Sequence, residues 1–181
     1  FRKEKIKPLV GDCVDIKVLD DIEKEGNIVE ILPRKNELIR PAAANIDQAL
    51  VVFAVSNPEP HFNLLDRFLV MMESKEIPVI LCFNKKDIAA QPELAQIREI
   101  YQACGYEVVF TSALKKENME PVRKLLEGKA TVIAGPSGVG KSSLINLLQT
   151  EVQMETGSIS EKIGRGKHTT RHSELIAINE N

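Results

Sequence analysis

A glycine-rich segment, residues 135 to 142, constrains the fold more than any other part of this 181-residue sequence. It reads Gly-Pro-Ser-Gly-Val-Gly-Lys-Ser and matches the phosphate-loop pattern G-x-x-x-x-G-K-[ST]. It lies between an apolar run, Thr131 to Ala134, and a helical pattern, Lys141 to Leu148, which is the strand-to-helix context that the motif requires. The alternative is a glycine-rich turn with a surface lysine. A chance match in such a chain is rare, on the order of one in a hundred.

The chemistry of phosphate binding explains these residue types. Glycines let the backbone curl so that successive N–H groups face a phosphate, and the N-terminus of the following helix adds partial positive charge. We predict that Lys141 bridges the β- and γ-phosphates and that Ser142 ligates Mg²⁺. The predicted nucleotide-binding residues of this loop are Gly135, Pro136, Ser137, Gly138, Val139, Gly140, Lys141, Ser142 and Ser143.

From Gln48 onward, apolar runs rich in Val and Ile alternate with helical patterns. The predicted strands are Ala49 to Val55, Val79 to Phe83, Val108 to Thr111, Thr131 to Ala134 and Ser173 to Ile178; the predicted helices lie near Asn63 to Lys75, Glu93 to Ala103, Met119 to Glu127 and Lys141 to Leu148. Such strands, separated by amphipathic helices, indicate a parallel sheet covered on both faces. The predicted fold class is α/β, a three-layer P-loop NTPase domain.

The first forty residues have a different pattern. Val14, Ile16 and Val18 alternate with polar neighbours, Glu25-Gly26-Asn27 predicts a turn, and Ile28 to Leu32 predicts a second strand. This is typical of a small antiparallel β unit from a barrel or meander. We expect residues 1–44 to form this unit and its linker, with a connector at residues 42–45, and residues 45–181 to form the nucleotide-binding domain.

A second motif, Asn84-Lys85-Lys86-Asp87, matches N-K-x-D and follows a predicted strand at the sheet edge where ligands bind. Guanine presents N1–H and an exocyclic amine side by side, and an ionised carboxylate can accept both, which assigns Asp87 to the base. Adenine would leave Asp87 without partners, at a cost of roughly 1–3 kcal/mol. Asn84 is expected to bond the base and to brace neighbouring loops, and Lys85 and Lys86 complete the segment. Alone, the motif could also be a solvated loop.

A third segment, Thr111-Ser112-Ala113-Leu114, follows the next predicted strand. A backbone N–H near Ala113 is expected to donate to guanine O6, so Ser112 and Ala113 are predicted nucleotide-binding residues. Alone, Ser112 is equally well a turn or helix-capping residue. Because all three loops follow strands of one parallel sheet, they emerge at one edge and can surround one nucleotide. GTP and GDP, with Mg²⁺, are the predicted ligands.

The order of these motifs is permuted, since ordinary GTPases place the phosphate loop first. A fourth segment, Gly164-Arg165-Gly166-Lys167-His168-Thr169-Thr170-Arg171-His172, follows the phosphate loop. With these four motifs the sequence resembles the circularly permuted GTPases, and specifically the family of ribosome small-subunit-dependent GTPase A, the RsgA or YjeQ family. The resemblance covers essentially the whole chain.

The resemblance implies further features. It implies an amino-terminal OB-fold, to which the predicted strands at residues 14–18 and 28–32 would belong as a partial β-barrel. It implies a carboxy-terminal domain that binds Zn²⁺ and is absent here, so no zinc ligands are assigned in this chain. It also implies hydrolysis of GTP to GDP and phosphate in late maturation of the small ribosomal subunit, with that subunit and its rRNA as partners.

The segment Gly164 to His172 is typical of a switch loop, because it carries basic residues around two threonines and begins with the glycines Gly164 and Gly166, which allow mobility. In a GTPase one such threonine completes the Mg²⁺ shell, and the Thr-Thr-Arg pattern favours Thr170 over Thr169. His168 is a candidate for approaching the attacking water. The predicted catalytic residues are thus Lys141, Thr170 and His168. The basic residues are expected to meet rRNA phosphate, and the alternative is a solvated, disordered loop.

Composition adds few constraints. The formal net charge of −2 gives no global signature of nucleic-acid binding. The three cysteines are far apart and match no metal site, which favours a reducing, cytoplasmic location and a buried structural thiol at Cys82. No stretch approaches the roughly 18 apolar residues of a membrane span, so we expect no membrane partner. We expect a monomer.

No D-x-x-G motif occurs in the sequence, although a GTPase uses its Asp for the Mg²⁺ shell and its Gly N–H to sense the γ-phosphate. We expect this motif just after Asn181 and interpret Asn181 as a truncation or ordering limit, which puts hydrolysis by this chain alone in doubt. Two alternatives remain open. One is a nucleotide-gated rRNA-binding module with incidental turnover, and the other is a P-loop ATPase or kinase in which the match at residues 84–87 is accidental.

Overall fold

The computed structural model describes residues 6–20, 23–149, 176 and 178, which divide into two compact units. The first unit extends to Ile46, and the second begins at Asp47. The predicted switch segment, residues 164–172, and most of the predicted strand at residues 173–178 lie outside the described residues. Among the residues described, no helix is long and apolar enough to cross a membrane.

The first unit contains two antiparallel strand pairs. Strands β1 (Val14–Asp20) and β2 (Glu25–Ile31) form one pair, and the short strands β3 (Glu37–Leu38) and β4 (Ala43–Ala44) form the other. The predicted connector at residues 42–45 therefore includes a strand. An ion pair joins the segment before β1 to the segment after β2, because Arg34 Nε lies 2.7 Å from Asp12 Oδ1. The neighbouring guanidinium lowers the pKa of Asp12.

The turn predicted at Glu25-Gly26-Asn27 is wrong, because these residues belong to β2. Gly26 pairs with Val18, and Asn27 pairs with Lys17. A Cβ at Gly26 would lie 3.2 Å from the Lys17 carbonyl oxygen, so glycine here permits close strand pairing rather than chain reversal. The reversal occurs earlier, where Lys24 has a φ of 55°. The apolar side chains that alternate along β1 do not pack into a core of described residues; Ile16, for example, is 60% exposed.

Within the described residues, the second unit is built on a four-stranded parallel sheet with the order β7-β6-β5-β8. Its strands are β5 (Gln48–Ala54), β6 (Val79–Asn84), β7 (Glu107–Phe110) and β8 (Thr131–Ala134). Its helices are α1 (Phe62–Glu73), α2 (Gln91–Ala103), α3 (Met119–Leu126) and α4 (Lys141–Leu148). Each predicted strand and helix from residue 48 to residue 148 is present with small shifts at its ends. The predicted α/β fold is confirmed.

Helices cover both faces of this sheet. On one face, side chains of β5 and β6 such as Leu50, Val52 and Cys82 pack with residues of α3 and α4, including Val122 and Leu144, in one buried cluster. On the other face, aromatic rings join sheet to helix. The Phe53 ring lies 6.3 Å from that of Phe68 on α1, and the Phe83 ring lies 6.0 Å from that of Tyr101 on α2. The unit therefore has three layers.

The register of the sheet brings the loops of interest together. Ala54 pairs with Asn84, Phe83 with Phe110, and Val51 with Ala134, so the carboxyl ends of the four strands lie along one edge. At the opposite edge, residues 127–130 join α3 to β8. The buried Gln48 holds this connection, since its Nε2 donates to the Leu125 carbonyl at 2.7 Å and to Thr131 Oγ1 at 3.0 Å.

We expect Leu65→Ala, on α1, to lower the free energy of unfolding by about 2–5 kcal/mol, because Leu65 is 0% exposed and its removal leaves a cavity in the core. Leu64→Ala is the matched control: its side chain is 37% exposed on the same helix, so its loss should be about 1 kcal/mol. Urea denaturation measures both. Equal losses would contradict the orientation of α1.

Candidate nucleotide-binding site

The phosphate loop follows β8, and its glycines are required by contacts as well as by backbone conformation. Gly135, Gly138 and Gly140 have φ values of 147°, 79° and 93°. A Cβ at Gly135 would lie 2.0 Å from the Val52 carbonyl oxygen, and one at Gly140 would lie 2.4 Å from Asn84 Nδ2. The first glycine therefore lets the loop leave the sheet beside β5, and the last lets it approach Asn84.

Lys141 is the first residue of α4, and its ammonium group turns back into the loop. The Nζ atom donates to the carbonyl oxygens of Gly135 at 2.9 Å and Pro136 at 2.6 Å. Burial lowers the pKa of Lys141, because a charge is costly where little water reaches it. A phosphate oxygen at this place would supply a charged acceptor in exchange for neutral carbonyl groups.

The remaining residues of the phosphate loop differ in what they expose. Ser137 and Gly138 are exposed at the tip, and Ser142 is exposed in the first turn of α4. Val139 is only 1% exposed and packs its side chain into the core, so only its backbone can contribute to a ligand site. The hydroxyl of Ser142 is one oxygen of the kind that Mg²⁺ prefers.

Asn84 connects three loops through a single buried amide: the phosphate loop after β8, its own loop after β6, and the loop after β7, here called the third loop. Its Nδ2 donates to the carbonyl oxygen of Val139 in the phosphate loop at 2.9 Å. Its Oδ1 accepts from the backbone N–H of Ala113 at 3.0 Å and from the Thr111 hydroxyl at 3.2 Å. Asn84 is 1% exposed, so these bonds replace those that water would otherwise make. The bracing that we expected of this side chain is visible directly.

Asp87 is held by the third loop. It lies in a single 3₁₀ turn, Lys86–Ile88, directly after β6, and its Oδ1 accepts a hydrogen bond from the Ser112 hydroxyl. The Ser112 oxygen accepts in turn from the backbone N–H of Lys115 at 3.0 Å. Ser112 thereby fixes the carboxylate that is predicted to bind guanine.

The two lysines between Asn84 and Asp87 point to different partners. Lys85 adopts a left-handed conformation with a φ of 64°, and its ammonium donates to the Asn57 carbonyl oxygen. Lys86 forms an ion pair with Glu117 at 2.9 Å. Lys86 therefore contacts the third loop through a partly exposed ion pair. Lys85 reaches across to the segment that follows β5.

The N–H of Ala113, predicted to bind guanine O6, has a partner inside the protein. It donates to Asn84, as described above, and a base oxygen would compete with that acceptor. The third loop is closed by a reciprocal backbone pair between Ser112 and Glu117, with N···O distances of 3.2 and 2.9 Å. This closure keeps Ala113 at the sheet edge.

Asn57 and Thr111 also belong to the site, although the motifs did not point to them as site residues. Asn57 follows β5 at the same edge, and the adjacent Pro58 lies beside the phosphate loop, with its Cδ 3.8 Å from the Cβ position of Gly138. The sequence does carry one signal for Asn57, because it follows the buried parallel strand β5. Thr111 is 0% exposed and bonded to Asn84, which only the folded structure reveals.

The candidate switch residues are outside this geometry. Thr170 and His168 belong to the part of the chain that the structure does not describe, and their roles stay predictions. Within the described ranges, no group of three or more His, Cys, Asp or Glu side chains is placed to hold a metal ion. Of the two predicted Mg²⁺ ligands, Ser142 lies within the described residues and Thr170 does not.

Comparison with known proteins identifies the family. The family model described as RsgA GTPase matches residues 31–181. The chain belongs to the RsgA GTPase family. Small ribosomal subunit biogenesis GTPase RsgA of Agathobacter rectalis is 62% identical over 178 residues, and that of Alkaliphilus metalliredigens is 51% identical over the same length. Each match covers 98% of the chain but only 59% and 61% of the relatives, so the chain spans about three fifths of their length.

Two solved structures share this fold. YjeQ from Thermotoga maritima matches with a TM-score of 0.73 and 35% identity, covering 83% of this chain and 54% of that chain. YloQ, described as a circularly permuted GTPase, matches with a TM-score of 0.68 and 42% identity, covering 83% of this chain and 53% of that one. The predicted family and the permuted P-loop fold are confirmed.

We expect Gly140→Ala to destabilise the protein more than Gly105→Ala does. Both glycines have a positive φ, 93° and 88°, so each substitution strains the backbone by about 1–2 kcal/mol. Only the Cβ at residue 140 meets a neighbour, Asn84, and overpacking there should add about 1–3 kcal/mol. Chemical denaturation without nucleotide compares the two, and equal losses would contradict the contact between Gly140 and Asn84.

Proposed function

We propose that this protein binds guanine nucleotides, hydrolyses GTP to GDP and phosphate with Mg²⁺, and acts in late maturation of the small ribosomal subunit. The observation that carries the proposal is the Asn84 amide, which bonds the phosphate loop through Val139 and the third loop through Ala113. The curated relatives are named for small ribosomal subunit biogenesis, which supports the cellular role.

Recognition of guanine rests on Asp87 in this proposal. The Ser112 hydroxyl engages one carboxylate oxygen and sets the plane of the carboxylate. Guanine N1–H and the exocyclic amine are two adjacent donors that a carboxylate in fixed orientation can accept together. Adenine offers no such pair, so Asp87 would lose solvent without gaining bonds.

Phosphate binding rests on the loop from Gly135 to Ser143. The phosphates would take over the Lys141 ammonium from the Gly135 and Pro136 carbonyl groups and would receive backbone N–H groups at the start of α4. Ser142 and Thr170 would hold Mg²⁺, which neutralises charge on the phosphates. In the GTPases catalysis comes mainly from such positioning and electrostatic stabilisation.

The other parts of the proposal extend beyond the described residues. His168 would approach the attacking water, and Lys167 and Arg171 would contact rRNA phosphate. Zn²⁺ would belong to a further domain of the full-length protein. The protein would act as a cytoplasmic monomer on the small ribosomal subunit.

Asp87→Asn should weaken GDP binding by about 10- to 100-fold, because two charge-assisted hydrogen bonds are lost. It should also improve binding of xanthine nucleotides, since the amide can donate to the oxygen that replaces the exocyclic amine. Competition of GDP, XDP and ADP against a fluorescent guanine nucleotide measures the change. Asp66→Asn, on α1 and hydrogen-bonded to Tyr101, is the matched control and should retain the guanine preference. Equal competition by ADP in the wild-type protein would overturn the assignment of guanine.

Multiple-turnover GTP hydrolysis by the full-length protein, with and without small ribosomal subunits, tests the enzymatic part. We expect stimulation by the subunits and a loss of about 100-fold or more in kcat for Lys141→Ala. Lys124→Ala removes an exposed lysine of α3 and should change the rate by less than about twofold. Subunit binding that depends on nucleotide, without turnover above background, would instead support the RNA-binding module.

A further inference from the structure

A buried thiol is connected to the nucleotide site by two consecutive hydrogen bonds. Cys82 lies on β6, two residues before Asn84, and is 1% exposed. Its sulfur is 3.4 Å from Thr111 Oγ1, which is 3.2 Å from Asn84 Oδ1. Neither Cys82 nor Thr111 has a part in the nucleotide contacts proposed above. Their position nevertheless makes both of them neighbours of the amide that joins the loops.

The direction of these hydrogen bonds follows from their partners. Asn84 must present its oxygen to Ala113, because the Ala113 backbone N–H can only donate, and must present its nitrogen to the Val139 carbonyl, which can only accept. The Thr111 hydroxyl can therefore only donate to Asn84 Oδ1. A hydroxyl has one hydrogen, so Thr111 is the acceptor toward Cys82, and the thiol is the donor.

The thiol is suited to this role because it keeps its hydrogen. Burial raises the pKa of Cys82 to about 11, so the group is protonated at neutral pH. The Cys82 S–H donates to a lone pair of Thr111 Oγ1, and the Thr111 hydroxyl hydrogen therefore stays directed at Asn84 Oδ1. On the other side of the same amide, Gly140 leaves room for Asn84 Nδ2, as its Cβ position shows.

We propose that Cys82 and Thr111 are positioning residues that fix the side chain of Asn84 and thereby set the preference for guanine over adenine. The inference rests on the proposed binding of guanine nucleotides. Asn84 Oδ1 holds the Ala113 N–H, and the preceding residue, Ser112, holds the Asp87 carboxylate. Loosening Asn84 releases the loop that orients Asp87. Adenine makes no use of Asp87, so its binding suffers less than that of guanine.

The test compares the dissociation constants of GDP and ADP for Thr111 variants of the full-length protein. Thr111→Val keeps the shape of the side chain and removes the hydroxyl, so the ratio of the ADP constant to the GDP constant should fall about five- to tenfold. Thr111→Ser keeps the hydroxyl and should stay within about twofold of wild type. A purely structural role would instead lower the unfolding temperature and weaken both nucleotides equally.

A double-mutant cycle isolates the contribution of Cys82. Cys82→Ala should lower the same ratio about two- to threefold when Thr111 is present, because the Thr111 hydrogen is then no longer held toward Asn84. In the Thr111→Val background Cys82→Ala should leave the ratio unchanged, since no hydroxyl remains to be directed. Equal effects in both backgrounds would show that Cys82 acts only through packing and would overturn its assignment. Cys82→Ser retains a donor and should restore most of the ratio.

The outcomes separate this inference from the proposed function. A wild-type protein without preference for GDP would overturn both. A wild-type preference that persists in Thr111→Val would overturn only the positioning role. Should Thr111→Val fail to fold, Cys82→Ala and Cys82→Ser decide together. A ratio unchanged in Cys82→Ala, or lowered equally in both variants, would contradict the hydrogen bond from Cys82 to Thr111.

Discussion

The buried amide of Asn84 is the interaction on which the nucleotide site depends. One side chain satisfies the Val139 carbonyl of the phosphate loop and the Ala113 N–H of the third loop, and a hydroxyl from Thr111 completes its acceptor. Because the amide is 1% exposed, a lost partner would leave a buried polar group without a hydrogen bond, at a cost of about 1–3 kcal/mol. The loops consequently have one relative arrangement in which every group is satisfied.

The parallel sheet makes this interaction possible. Strands β5, β6, β7 and β8 all end at one edge, so segments separated by 55 residues in sequence meet there. Permutation of the motifs leaves this edge unchanged, because it alters only which strand comes first along the chain. Gln48 fixes the short connection from α3 to β8 at the opposite edge. This connection joins the part of the chain that carries Asn84, Asp87 and Ser112 to the part that carries the phosphate loop. The site and the connection lie at different ends of the sheet and impose separate constraints.

Sequence patterns predicted the second unit well and the first less well. Continuous apolar strands such as β5, buried along its whole length, have a strong signal because both faces of the sheet are covered. The strands β1 and β2 of the first unit are as long as β5, but they are exposed along most of their length. Local residue types are then the main signal, and they predict a turn at Gly26 where the structure has close pairing with Val18. A glycine signals a backbone requirement without specifying which one.

The sequence by itself determined the phosphate loop, the N-K-x-D and Ser-Ala segments, the α/β fold and the membership of the RsgA GTPase family, because each depends on residue types at fixed spacing. The tertiary structure alone decided that Lys86 pairs with Glu117, that Lys85 reaches Asn57, and that Cys82 and Thr111 adjoin Asn84. These contacts join segments far apart in the chain, and no local pattern encodes them. Spacing along the chain can specify which groups are available, whereas the packing of the sheet and its loops specifies which of them meet.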